Sequence, residues 1–260
     1  MRRGAQGHDR KALRAKLYLA GIGVLVVGAL AAGGITAMAL LDEENAPSSA
    51  KPSASAKPSA SSSPGKPSGS KVTPEQGKKV TLKSPTGQKG GAPTGFPHDA
   101  IGAMSAAVHY QEEYAWLDDE KARQQLEVIT SPDATGYIDE RISQVRSLRE
   151  AANLPPSGPM PAELTITTTV EAIRGRSLTP DGDVVQVWMS FDRYAAGPDG
   201  TPNDDPIKGD TTDLVLKWQA GGWKITNEPM YWKKRTFPVA YDRDSPYAWQ
   251  DGWWQVRHAD

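Results

Sequence analysis

The 260-residue sequence contains no cysteine, so disulfides, thiolate-bound metals and cysteine nucleophiles are excluded from the outset. Histidine is scarce too: there are four, and no two stand at a spacing such as H-x-x-x-H that would hold zinc. Three further signatures are missing from the sequence: the G-x-S-x-G of serine hydrolases, the phosphate-binding P-loop and the G-x-G-x-x-G dinucleotide turn. The sequence therefore predicts no catalytic residue, no metal and no cofactor, and we expect a protein that is not an enzyme.

Acidic residues are scarce in the first 97 positions, and the formal net charge of −1 hides this asymmetry. Residues 1–16 carry a net charge of +5, residues 42–44 carry −3 and residues 45–97 carry +7, whereas residues 98–260 carry −10. An excess of carboxylates repels the phosphate backbone, so we expect no direct binding of nucleic acid by the C-terminal part.

One long stretch near the N-terminus lacks charge altogether. Residues 17–41 contain no Asp, Glu, Lys or Arg, and as a helix of about 37 Å they would cross a hydrocarbon core of roughly 30 Å. Basic residues precede the stretch and acidic residues follow it, which predicts a single-pass cell-membrane protein with a cytoplasmic tail (residues 1–16) and an extracytoplasmic C-terminal domain. The alternative is a cleavable signal peptide ending near Ala37-Met38-Ala39, although the apolar run is longer than such peptides use.

Small residues repeat at intervals of four along this predicted transmembrane helix. That spacing lets two membrane helices approach closely, so it is compatible with a homo-oligomer. Small residues are common in membrane helices in any case, so the alternative of a monomeric anchor stays open. The residues of this helix-association face are Gly28, Ala29, Ala32, Gly33 and Ala37.

Residues 42–95 are dominated by Ala, Pro, Ser, Gly and Lys without any apolar periodicity, which predicts a disordered linker. A coil of about fifty such residues averages roughly 40 Å from end to end, enough to hold a domain clear of the lipid surface. The tract from Val80 to Leu82 is too short to change this expectation. The lysines of the linker would suit anionic lipids or cell-wall polymers, but a solubilising spacer is the simpler interpretation.

Residues 96–230 change from a helical to a strand period, which predicts one α+β domain. Two helices are expected over residues 98–115 and 118–129, and a third is expected to begin after Ser131 as N-cap and to end before Pro155. Strands are predicted over residues 164–172, 184–194, 211–219 and 223–227. Turns are expected at Pro180-Asp181-Gly182 and at Ala220-Gly221-Gly222. We therefore expect helices packed on one face of a curved antiparallel sheet.

Three helices followed by a curved sheet that ends in Gly221-Gly222-Trp223-Lys224-Ile225 resemble the cone-shaped nuclear-transport-factor-like (cystatin-like) superfamily. With the anchor and the linker, the chain is similar to the bitopic assembly factors of type IV secretion and their Gram-positive conjugation counterparts. The stretch from Gly95 to Ala103 also resembles the domain entrance of a group of actinobacterial membrane proteins. The resemblance covers residues 95–230 and implies a scaffold without catalysis.

Carboxylates are frequent in the loop from Gly197 to Asp210, where they could supply oxygen ligands for Ca²⁺. Their spacing fits no EF-hand, so we expect a solvated loop rather than a metal site. Glu171 and Asp192 lie on predicted strands but opposite the apolar faces, so no catalytic role is assigned to either.

Aromatic residues crowd the segment 231–260, which a flexible polar tail would not carry. One interpretation is that this extension folds back and covers an edge or groove of the sheet, and this is the favoured one. The other is a docking patch for a partner protein, since Trp, Tyr and Arg dominate binding hot spots. The predicted docking residues are Trp249, Trp253, Trp254 and Arg257.

The leading hypothesis is a non-catalytic scaffold whose outer domain binds other envelope proteins within a conjugation-like or secretion-like complex. The main alternative is a membrane-tethered cone-fold module that binds, or acts on, a small molecule, lipid or cell-wall fragment. A third interpretation is attachment to the cell wall through the lysine-rich linker.

Overall fold

The computed structural model describes residues 77–197, 200, 202–203, 206–243, 245, 248 and 250–258. The predicted cytoplasmic tail, the transmembrane helix over residues 17–41 and the first part of the linker lie outside this range. The predicted helix-association face also lies outside the described residues; it comprises Gly28, Ala29, Ala32, Gly33 and Ala37. Within the described residues, no helix is both long and apolar enough to cross a bilayer.

The described residues form an α+β fold, as predicted. Its helices are α1 (Ala100–Glu112), α2 (Asp119–Ile129), α3 (Tyr137–Ala151) and the single turn α4 (Pro229–Trp232). Its strands are β1 (Lys79–Thr81), β2 (Gly87–Lys89), β3 (Ala92–Thr94), β4 (Thr165–Ser177), β5 (Val184–Ala196), β6 (Ile207–Gln219), β7 (Gly222–Ile225) and β8 (Trp254–Arg257).

Two of the helices begin where the sequence predicts, because each has an aspartate cap. The Asp99 carboxylate accepts a hydrogen bond from the backbone N–H of Gly102, and that of Asp118 accepts one from Lys121. The prediction of Ser131 as the cap of α3 is wrong. Its hydroxyl accepts a hydrogen bond from the N–H of Asp133, and α3 begins six residues later, at Tyr137.

The main sheet has the strand order β1-β8-β4-β5-β6-β7. Neighbours from β8 to β7 are antiparallel, but β1 pairs in parallel with β8, so the sheet is mixed rather than antiparallel as predicted. The Ala220-Gly221 turn joins β6 to β7, and both residues have positive φ, as a tight hairpin requires.

The prediction that the whole of residues 42–95 is a disordered linker is wrong for its last part. Val80 and Leu82 are buried, and Val80 is paired with Val256 in β8. Strands β2 and β3 form a separate hairpin that leads into the buried Phe96. Local composition cannot reveal this order, because the partner strand of β1 lies at the far end of the chain.

Strand β5 is buried on both faces. Towards the helices, its side chains Val185, Val187, Met189 and Phe191 belong to the main core, as the alternation predicts. On the opposite face, Trp188 is also buried. These apolar side chains of β5 thus pack under the helices, and a second layer must cover the other side of the sheet.

Candidate interaction surface

That second layer is the aromatic C-terminal extension. Trp253 has no exposed surface and packs with Ala172, Trp188 and Ala248 on the outer face of the sheet. Its Nε1 donates a hydrogen bond to the carbonyl of Val239. The prediction of Trp253 as an exposed docking residue is therefore wrong, and for this residue the alternative of packing on the sheet is correct.

Trp254 does not lie beside Trp253. Trp254, the first residue of β8, is half-buried and packs against the core on the helix side, opposite to Trp253, which directly precedes the strand. Arg257 is exposed at the end of the same strand. Trp249 lies outside the described residues.

A different part of the extension exposes its apolar side chains. Met230 is 59% exposed, Phe237 79% and Val239 55%. These three lie within residues 229–239, which we call the outer ledge because the segment crosses the face of the sheet opposite the helices. An aromatic side chain as exposed as Phe237, close in sequence to exposed Val239, makes this segment a candidate interaction site.

Hydrogen bonds fix the backbone of the outer ledge on both sides of Phe237. Thr236 exchanges hydrogen bonds with the side-chain amide of buried Gln186, at 3.2 Å from its N–H and 3.3 Å to its carbonyl. The N–H of Val239 donates to the Asp251 carboxylate at 3.0 Å. Phe237 therefore projects from a fixed backbone, and little entropy would be lost if a partner bound it.

The side chain of Arg235 connects the outer ledge to the sheet. The guanidinium carbon of Arg235 lies 3.3 Å from the centre of the Trp232 ring and 5.9 Å from that of Phe237. Its Nη1 pairs with the carboxylate of Asp213 at 3.3 Å. This ion pair ties the ledge to strand β6, and the stacked Trp and Arg are the residue types that dominate hot spots.

The ledge is basic although the domain is acidic. Residues 229–239 contain Lys233, Lys234 and Arg235 and no Asp or Glu. Both lysines are exposed, and within the described residues neither forms an ion pair with a carboxylate. The outer ledge thus combines exposed apolar groups with positive charge.

Three histidines are described, and each contacts a carboxylate. His98 lies 2.7 Å from Asp183, and its ring stacks on Trp218 with centroids 4.2 Å apart. His109 bonds to Glu113 one turn later, and His258 bonds to Glu112 at 2.9 Å. His98 thus joins the segment before α1 to the sheet, and His258 joins α1 to the end of the C-terminal strand. The His109–Glu113 pair lies within the last turn of α1, so all three contacts have a structural explanation.

No group of three or more His, Asp or Glu that could hold a metal occurs within the described part of the chain. Of the acidic loop considered for Ca²⁺, Asp199, Asp204 and Asp205 lie outside the described residues. Asn203 accepts a hydrogen bond from the N–H of Ala195, so it fixes the end of β5.

A groove of about 680 Å³ opens beside β7, lined by Lys89, Glu127, Lys224 and several glycines. Burial, and secondarily the charge of Lys89, lowers the pKa of Lys224. The Lys224 ammonium also donates to the carbonyl of Val128. Lys224 is thus already engaged with the protein.

The sequence reasoning missed the outer ledge. The run from Lys233 to Val239 has no helical or strand period, so no pattern identifies which of its side chains face solvent. A usable signature was the cluster of three basic residues beside Phe237 within an acidic domain. Comparison of the chain with family models, curated proteins and solved structures finds no match.

Proposed function

We propose that the chain is a single-pass membrane protein whose extracytoplasmic domain is a non-catalytic scaffold, and that it binds an acidic envelope protein at the outer ledge. The observation that carries this proposal is the 79% exposure of Phe237 on a backbone fixed on both sides. A conjugation-like or secretion-like complex is the proposed setting, on the basis of the anchor and linker in the sequence.

The acidic character of the partner follows from the charge of the ledge. Lys233 and Lys234 stand beside the apolar side chains, so a surface that carries carboxylates around an apolar pocket would complement both features. Charged groups at the rim mainly raise the association rate, whereas a buried aromatic group supplies most of the affinity.

Site-specific photocrosslinking in intact cells tests this proposal. A photoreactive amino acid replaces Phe237 in the full chain, and a matched control carries it at Glu150, which is exposed on α3 across the sheet from the ledge. We expect a discrete protein adduct from position 237 and none from position 150. Mass spectrometry of the adduct should identify a protein with an acidic surface.

Charge reversal supplies the second arm of this experiment. The double variant Lys233→Glu, Lys234→Glu keeps the apolar groups and should reduce the yield of the adduct at least tenfold, because it places like charges against the partner. Adducts to lipid alone, adducts to a second copy of this chain, or equal yields from both positions would each contradict the proposal.

The topology can be tested independently because the chain has no cysteine. Single variants His8→Cys and Glu150→Cys are treated in intact cells with a maleimide that does not cross membranes. We expect labelling at position 150 only, since position 8 lies on the cytoplasmic side in the proposed topology. Labelling at position 8 before lysis would overturn the proposed orientation.

A further inference from the structure

Arg193 is a buried cation for which the protein supplies almost no hydrogen-bond acceptor. Its side chain lies on the helix-facing side of β5 and the residue is 2% exposed. The Nε donates to the hydroxyl of Thr168 at 2.9 Å. The atoms Nη1 and Nη2 are buried and have no partner within the described structure.

Aromatic rings compensate this charge only in part. The guanidinium carbon lies 3.6 Å from the centre of the Trp116 ring and 4.9 Å from that of Phe191. Contacts of this kind stabilise a cation, but they leave its N–H groups without acceptors. A buried charged group whose N–H donors have no acceptors destabilises the folded state. Proteins normally pair such a group with an opposite charge or bind an ion beside it.

Other unpartnered donors belong to the same end of the helix layer. The indole Nε1 of Trp116 is buried without an acceptor, and so is the side-chain amide Nε2 of Gln111 near the end of α1. The ring of Tyr114 lies 4.9 Å from that of Trp116, and its buried hydroxyl interacts with the side chain of Arg141. Arg193 and Trp116 can only donate, so a ligand that satisfied them would have to be an acceptor.

The segment Gln111 to Trp116 lies over the part of the sheet that holds Arg193. The neighbouring Glu112 accepts a hydrogen bond from the N–H of Val170, two residues along β4 from Thr168. That strand has an irregularity between Val170 and Ala172, which frees this N–H from the regular ladder.

A second cation lies towards the surface. The guanidinium of Arg141 on α3 is half-buried and lies 5.8 Å from the Tyr114 ring and 6.0 Å from the Tyr137 ring. Alternating cations and rings thus lead from Arg141 through Tyr114 and Trp116 to Arg193.

Burial lowers the pKa of Arg193 to about 9; the charge of Asp210 opposes this shift and that of Arg141 adds to it. With a pKa of about 9, Arg193 is still a cation at neutral pH. The interior therefore holds a positive charge whose two terminal nitrogens remain available.

We propose that Arg193, together with the indole N–H of the Trp116 ring that it contacts, forms a buried site for one oxyanion, either a carboxylate or a phosphate-like group. A guanidinium presents two parallel N–H donors that match two oxygens of such a group. The indole N–H supplies a further donor. This site lies on the opposite side of the sheet from the outer ledge and is independent of the proposed docking function.

Thermal unfolding of the full chain in detergent tests the proposal. Sodium acetate, sodium phosphate and sodium sulfate are titrated separately, with sodium chloride at equal ionic strength as the reference. Binding to the folded state should raise the midpoint saturably with at least one oxyanion, by about 3–8 °C near saturation. Comparison of the midpoint shift in acetate with the shifts in phosphate and sulfate shows whether the site prefers a carboxylate or a phosphate-like group.

Variants assign the effect to this site. Arg193→Met keeps the aliphatic stem but removes the charge, so it should abolish the oxyanion shift without lowering the midpoint in oxyanion-free buffer. Trp116→Phe keeps the ring over Arg193 but removes one donor, and should weaken the apparent affinity about tenfold. If Arg193→Met does not fold, the Trp116→Phe variant still tests the proposal.

Arg174 provides the matched control, because it also lies over a tryptophan but has a carboxylate partner. Its guanidinium carbon is 5.1 Å from the Trp188 ring, and its Nη2 is 3.6 Å from Asp251. Arg174→Met should lower the midpoint and retain the oxyanion shift. The proposal is overturned where no oxyanion stabilises the wild type beyond chloride, or where Arg193→Met responds as the wild type does.

Discussion

The indole Nε1 of Trp253 lies 2.9 Å from the backbone carbonyl oxygen of Val239 and donates a hydrogen bond to it. Trp253 has no exposed surface, whereas the Val239 side chain is 55% exposed. One hydrogen bond thus connects a fully buried residue of the C-terminal extension to the exposed outer ledge. The extension contributes both to the stability of the fold and to the presentation of the outer ledge.

Replacement of Trp253 should therefore destabilise the whole domain. We expect Trp253→Ala to lower the free energy of unfolding by about 3–5 kcal/mol, the range for removal of a buried aromatic side chain. Urea unfolding followed by circular dichroism measures this. The matched control Phe237→Ala, which removes an exposed ring from the same extension, should change stability by less than about 0.5 kcal/mol. Equal effects of the two variants would contradict the packing described for Trp253.

Gly102 should tolerate no side chain, although alanine normally stabilises a helix relative to glycine. A Cβ at this position would lie 1.9 Å from the carbonyl oxygen of Pro97, which accepts a hydrogen bond from the indole of Trp223 at 2.8 Å. We expect Gly102→Ala to cost about 1–3 kcal/mol through overpacking. Gly222→Ala, where a Cβ meets open space, is the control and should cost far less. Thermal unfolding of both variants distinguishes them, and a stabilised Gly102→Ala would refute the close contact.

The fold requires residues that lie upstream of the boundary predicted from composition. A chain that begins at residue 72 keeps Val80 and Leu82, which are 4% and 1% exposed. One that begins at residue 96 lacks both and leaves β8 without its edge partner. We expect cooperative thermal unfolding for the first and a broad or absent transition for the second. Identical transitions would show that β1 contributes nothing to stability.

Asp119 should make stability depend on pH in the acid range. Burial by itself raises the pKa of this carboxyl, but hydrogen bonds from Gly158, Ser157 and Arg146 outweigh it and lower the pKa to about 2. An unfolded aspartate titrates near pH 4. Because the folded pKa is the lower one, the stabilisation is complete above about pH 4 and is lost as the pH falls towards 2.

The variant Asp119→Asn should accordingly be less stable than wild type by about 1–3 kcal/mol at neutral pH. The difference should shrink as the pH falls from about 4 to 2, since wild type alone loses its charged hydrogen bonds. Urea unfolding at several pH values measures it. Asp139→Asn is the control, because that carboxylate is 80% exposed in its pair with Arg123 and should matter little. A difference that did not vary with pH would contradict the role given to the Asp119 charge.

Local patterns were sufficient for elements whose causes are local. Helix α2 runs from Asp119 to Ile129, as predicted, because its acidic first turn and its apolar spacing both lie within the helix. The alternation from Val185 to Phe191 likewise predicts the core face of β5. The same alternation places Arg193 on that face, so the sequence held the information that a cation lies in the core.

Features that depend on distant partners could not be predicted in this way. Val80 looks like part of a linker until β8 is known to pair with it. Trp253 and Trp254 are adjacent in sequence, yet their side chains pack on opposite faces of the sheet, because the extended chain at the start of β8 alternates its side chains. The exposure of Phe237 depends on how Gln186 and Asp251 hold the backbone around it.

The parallel pairing of β1 with β8 also sets an order of events during synthesis. Lys79 pairs with Gln255, so the first strand leaves the ribosome about 175 residues before its partner, and contacts between such distant residues form slowly. Until β8 arrives, Val80, Leu82 and the outer face around Trp188 have no cover, and exposed apolar surface of this kind promotes aggregation. A nascent chain of this protein would therefore need protection from aggregation until residues 253–257 are made.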